Sequence, residues 1–97
     1  MARNRFLVCY DVTDDGRLRS THKKLLGFGD PVQYSVFLCD LSTKERVLLE
    51  GTLTELLNLK EDRVLIVDLG PATGRGDACV TQMGASRPFT KREAVVI

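Results

Sequence analysis

The residues of this chain best suited to chemistry lie in one short run, FLVCYDVTDDGR, from Phe6 to Arg17. An apolar strand pattern ends in Tyr10 and Asp11, and two further acids follow at Asp14 and Asp15. A carboxylate at the end of a hydrophobic strand can hold a hard cation such as Mg²⁺ or Mn²⁺, which takes oxygen ligands and keeps several waters. Such an ion polarises a phosphodiester and lowers the pKa of its bound water. The same acids can instead stop a strand and cap a helix, because carboxylates satisfy the free N–H groups at a helix N-terminus. Spacing alone favours the strand-ending, structural role for Asp11 and the capping role for Asp14 and Asp15.

A second group is cationic. Arg17, Arg19, Lys23 and Lys24 form the basic part of a first helix. Phosphate neutralisation dominates nucleic-acid affinity, so these side chains can track a DNA or RNA backbone without reading its bases. The competing reading is an ordinary solvated helix face. His22 falls on the apolar stripe of the same helix and reads as a packed or interface histidine rather than a general base. GPATGRGD, Gly70 to Asp77, has glycines but no P-loop lysine, and reads as a hairpin connection rather than a phosphate cradle. Cys9, Cys39 and Cys79 have no metal-ligand spacing; they read as buried hydrophobes in a reducing compartment, which argues against a zinc site.

The elements that must position these residues follow from apolar periodicity. Arg5–Val12 reads as a first strand, buried on both faces. A helix then runs to about Phe28, with Leu18, His22, Leu25 and Leu26 on one stripe, and Gly27 and Gly29 stop it. Pro31–Leu41, PVQYSVFLCDL, holds no turn pair and reads as a single second strand. Ser42 and Glu45 have capping-box spacing, and a helix with Leu49, Leu53, Leu56 and Leu57 on one face follows. Arg63–Leu69 is the third strand, Ala78–Met83 the fourth, and Ala94–Ile97 a short tail strand.

Ninety-seven residues make one domain, 1–97, and 43% apolar content is that of a globular protein. Net charge is only +1, but it is unevenly spread. Residues 1–29 carry six Lys/Arg against three Asp/Glu, whereas residues 30–70 carry four against eight. Basic and acidic faces are therefore permitted. No apolar run approaches the ~20 residues of a membrane span, and the N-terminus has no secretory signal pattern. The expectation is a cytoplasmic protein that does not enter a membrane. Two helices cover one face of a sheet whose strands are apolar on both. The other face would expose a large patch, which a second copy about a two-fold axis would cover. The chain is therefore expected to be a homodimer, with the 94–97 tail strand in the dimer contact.

In order along nearly the whole chain, YDVTDD, a basic first helix, VQYSVFLCDL, a leucine-striped helix and EDRVLIVDLG resemble the second of the numbered CRISPR-associated adaptation proteins. That resemblance implies an α+β, ferredoxin-like sandwich: a four-stranded antiparallel sheet with two helices on one face, plus a short C-terminal strand that crosses to the partner copy. It implies a metal-dependent endonuclease on RNA or DNA, or a scaffold of spacer acquisition bound by the CRISPR integrase. It also implies that Asp11 is the catalytic, metal-binding acid, facing its counterpart across the dimer axis. Tyr10, Ser35 and Phe37 would support that site, with Phe37 in the dimer core. Pro31 departs from the family, which often has a basic residue before VQYSVF. A ribonuclease toxin of the virulence-associated D type shares the strand–helix layout and is the alternative from the same fold neighbourhood.

Overall fold

A computed structural model of the chain describes residues 2–85. The elements are β1 (Asn4–Asp11), α1 (Asp15–Leu25), β2 (Asp30–Gln33), β3 (Val36–Leu41), α2 (Thr43–Leu56), β4 (Arg63–Pro71) and a single turn of helix, α3 (Arg75–Ala78). The four strands form one antiparallel sheet in the order β2-β3-β1-β4. This is the βαββαβ order of a ferredoxin-like fold.

Local chemistry sets the helix starts. The Asp14 side chain caps α1 by accepting from the Arg17 N–H at 2.9 Å. A capping box opens α2: the Ser42 N–H donates to Glu45 Oε1 at 2.8 Å, and the Glu45 N–H donates to Ser42 Oγ at 3.2 Å. After α1 the chain must pass close over β3. A Cβ on Gly29 would sit 2.6 Å from Cys39 Sγ, so no larger residue fits there.

The alternation of β1 divides its two faces. Phe6, Val8 and Tyr10 point into the core with Phe37, Cys39 and Leu41 of β3, and meet Leu25 of α1 and Leu49, Leu53 and Leu57 of the α2 region. Leu7, Cys9 and Asp11 point to the opposite, open face. There Leu7, Cys9, Val36 and Leu38 line a cleft of about 370 Å³ whose other wall is residues 80–85. Leu65 of β4 stays 61% exposed on this face.

The structure corrects three expectations. Pro31–Leu41 is a hairpin, β2 and β3, turning at Tyr34–Ser35. Two-residue hairpin turns need a positive φ and usually advertise it with Gly or Asn; here Ser35 adopts φ 66°. Ala78–Met83 is not a strand. The Gly70–Asp77 stretch is not a loose connection either, because it ends β4 and forms α3. A Cβ on Gly76 would lie 2.7 Å from the Gly70 carbonyl and 2.9 Å from Arg5 Cβ, so this segment packs tightly on β1 and β4. Of the cysteines only Cys39 is buried; Cys9 is half-buried and Cys79 exposed. No helix among the described residues is long and apolar enough to cross a membrane. The expected 94–97 strand lies outside the described residues.

Candidate functional site

Asp11 is the last residue of β1, and strand alternation directs its carboxylate to the open face. In the β1–β4 ladder it stands opposite Arg63. Arg63 Nη2 donates to Asp11 Oδ2 at 3.2 Å, with the two side chains 84% and 70% exposed. Hard oxygen donors in open solvent are what Mg²⁺ or Mn²⁺ needs, so Asp11 fits as a ligand by donor type and access. It fits as one ligand only. Among the described residues no group of three His, Cys, Asp or Glu side chains converges. Asp14 is committed to its cap.

The loop that follows Asp11 is pinned by a residue outside the sequence-predicted site. The Asp62 side chain is fully buried. It accepts from the Thr13 N–H at 3.0 Å, Thr13 Oγ1 at 3.3 Å, Arg17 Nε at 2.8 Å, Arg17 Nη2 at 3.2 Å and the Asn58 N–H at 2.9 Å. The Arg17 guanidinium, with the Thr13 and Asn58 amides, holds the Asp62 carboxyl far below the usual carboxylate range, against the opposing effect of burial. Only strand pairing, not a local sequence signal, reveals it. Antiparallel pairing of Asp11 with Arg63 necessarily brings residue 62 beside residues 12–13.

The basic helix residues therefore divide. Arg17 also reaches Glu61 Oε1 at 3.2 Å, so its charge is spent inside the molecule. Arg19, Lys23 and Lys24 are exposed, and none of the ion pairs among the described residues involves them. Pro31 is buried opposite Phe37 in β2 and offers nothing to a phosphate.

Tyr10 and Phe37 do not flank the Asp11 carboxylate, because alternation sends them to the helix-covered face. Phe37 is wholly buried in the core of its own copy, where the rings of Tyr10 at 6.2 Å and His22 at 5.2 Å pack against it. The expectation that Phe37 belongs to a dimer core is thus corrected. His22 is exposed at the surface of α1 rather than packed inside, although its Nδ1 lies 3.4 Å from Tyr10 Oη and its ring meets Phe37 edge-on. Burial raises the Tyr10 phenol above its usual pKa, offset in part by a hydrogen bond with Ser35. Ser35 is a turn residue rather than a strand residue; its carbonyl accepts from the Tyr10 N–H at 3.1 Å and ties the turn to β1.

Residues 4–74 match the family model described as CRISPR associated protein Cas2. A CRISPR-associated endoribonuclease Cas2 of Rhodospirillum rubrum is 35% identical over 96 residues, covering 99% of this chain and 93% of the relative. One of Geobacter sulfurreducens is 36% identical over 92 residues, covering 95% and 96%. The solved structure of Streptococcus pyogenes Cas2 superposes with a TM-score of 0.72 at 30% identity, covering 82% of this chain and 99% of that one. A hypothetical protein from Thermus thermophilus gives 0.77 at 28% identity, covering 89% and 96%.

Proposed function

The chain belongs to the CRISPR-associated Cas2 family, and from that premise we propose that two copies form a metal-dependent endonuclease that also serves CRISPR adaptation. The observation that carries this is the exposed Asp11 carboxylate at the rim of the apolar sheet face on which Leu65 stays exposed. Closing two such faces together buries Leu65 and its neighbours and sets the two Asp11 rims toward a common axis. Unscreened carboxylates brought together repel, and a divalent cation relieves that repulsion. When bound, Mg²⁺ or Mn²⁺ would supply an activated water and neutralise charge on the phosphodiester. Asp11 contributes the anionic oxygens that hold the cation. The Asp62 clamp fixes the backbone just beyond Asp11, so the carboxylate is presented from a rigid strand end. Arg19, Lys23 and Lys24 supply cations for the RNA or DNA backbone.

A non-catalytic scaffold that holds nucleic acid and a CRISPR integrase is the second reading. It is favoured by the Arg63 guanidinium on Asp11 and by the lack of a ligand cluster among the described residues of one copy. One set of measurements on wild type and Asp11→Asn separates the two. The nuclease reading expects a homodimer by light scattering and Mg²⁺- or Mn²⁺-dependent cleavage. That cleavage falls by orders of magnitude in the variant, while dimer mass and nucleic-acid binding persist. Equal cleavage per folded molecule refutes a ligand role for Asp11. No cleavage by wild type, with spacer integration intact in the Asp11→Asn strain, leaves the scaffold.

A further inference from the structure

Away from Asp11, on the helix side of the sheet, the β2–β3 turn overhangs α1. Tyr10, Leu18, Arg19, His22 and Tyr34 line a recess there of about 240 Å³. That is below the ~300–1,000 Å³ of pockets that hold drug-sized ligands, so it suits one planar ring rather than an extended molecule. Tyr34 is 85% exposed, although it neighbours a well-packed core. Nothing in the packing of one copy requires an aromatic ring at that tip. The backbone that carries the ring is nonetheless held in place: Ser35 beside it is in the left-handed region, and the Ser35 carbonyl is bonded to the Tyr10 N–H. His22, a second lining ring, is fixed by Tyr10 and Phe37.

The charge of the recess is one-sided. Arg19 lines it, and no carboxylate does. Lys23 follows Arg19 by one helical turn on the same face. Neither is engaged in the ion pairs among the described residues. A flat apolar-aromatic floor beside unspent cations is the combination that binds a nucleotide: the base stacks on the ring, and the phosphate meets the cation.

We infer that this recess is a binding site for one unpaired nucleobase of a nucleic-acid strand, stacked on Tyr34 with its phosphate on Arg19. The inference rests on the reading of this protein as a nucleic-acid binder. It adds that a single-stranded end or frayed base is recognised apart from the duplex. Stacking tolerates every base, so no sequence preference is expected.

The test uses the full chain and two probes: a blunt duplex, and the same duplex with a short single-stranded overhang ending in a fluorescent adenine analogue. Wild type should bind the overhang probe more tightly than the blunt one and quench its fluorescence. Tyr34→Ala should abolish the quenching and weaken overhang binding roughly five-fold or more, with blunt-duplex affinity unchanged. Tyr34→Phe keeps a stacking face and should behave as wild type; because Tyr34 is exposed, both variants should fold. Equal affinity of wild type and Tyr34→Ala for the overhang, or quenching that survives the substitution, overturns the site while leaving nucleic-acid binding intact. Failure of wild type to bind either probe overturns the underlying reading, and the site with it.

Discussion

Arg63→Gln should tighten divalent-cation binding at Asp11, and by a factor that follows from the exposure of the pair. The guanidinium lies 3.2 Å from Asp11 Oδ2 and must leave, or share the oxygen, when a cation arrives. Its side chain is 84% exposed and that of Asp11 70%. Ion pairs this open contribute roughly 0.2–1 kcal/mol. Removing the competitor should therefore strengthen cation binding by about 1.4- to 5-fold. The fold should be unaffected, because the β1–β4 ladder at this point is carried by the backbone. The assay is an Mn²⁺ titration of both proteins, followed by electron paramagnetic resonance or calorimetry, at low and high salt. The gap between them should shrink as salt rises, since screening weakens exposed pairs over a Debye length of about 10 Å at 0.1 M and about 3 Å at 1 M. Equal affinities at low salt would refute the competition. Weaker binding by the variant would mean that Arg63 helps to build the site. If wild type takes up no Mn²⁺, the metal reading itself fails.

Three further outcomes are expected. Asp62→Asn should lower the melting temperature at neutral pH by replacing the buried carboxylate partner of Arg17 with a neutral amide, leaving the guanidinium only its exposed ion pair with Glu61. The folded Asp62 carboxyl titrates below its unfolded value of about 3.9. Its contribution is therefore complete above that value and lost as pH falls through the folded one, so the gap between wild type and variant should narrow only below about pH 4 in melts across pH. Phe37→Ala should cost about 3–5 kcal/mol in urea unfolding; a stable variant whose only change is in oligomeric mass would return Phe37 to the interface. Replacing Arg19, Lys23 and Lys24 with Gln should flatten the salt dependence of duplex binding, the log–log slope falling by about 0.9 for each phosphate that the variant no longer neutralises. An unchanged slope would make them a solvated face.

Much of the site was legible because its signals are local. The Asp14 cap, the Ser42/Glu45 capping box and the β1 alternation each depend on residues within a few positions of one another. The family pattern read from YDVTDD and VQYSVF agrees with the Cas2 match over residues 4–74. The division of labour among the cations was not legible. Arg17 and Arg19 look alike in sequence, yet Arg17 is spent on a carboxylate 45 residues away, and only the pairing of β1 with β4 brings the two together.

The reading of Pro31–Leu41 as one strand failed for a definite reason, and the failure bears on function. A continuous strand would have set Val32, Tyr34, Val36 and Leu38 on one face and Gln33, Ser35, Phe37 and Cys39 on the other, with Tyr34 as one more sheet aromatic. A serine at positive φ is uncommon in such turns, so nothing in the composition announced the reversal. Once the chain turns there, Val36 and Leu38 keep the open face and Phe37 and Cys39 the core. Tyr34 and Ser35 change their places, and Tyr34 moves from a sheet face to an exposed tip above α1. The residue whose environment was most misjudged is thus the one that the hairpin leaves free to meet a ligand. Its ring stands over the same helix face from which Arg19 and Lys23 project without carboxylate partners among the described residues.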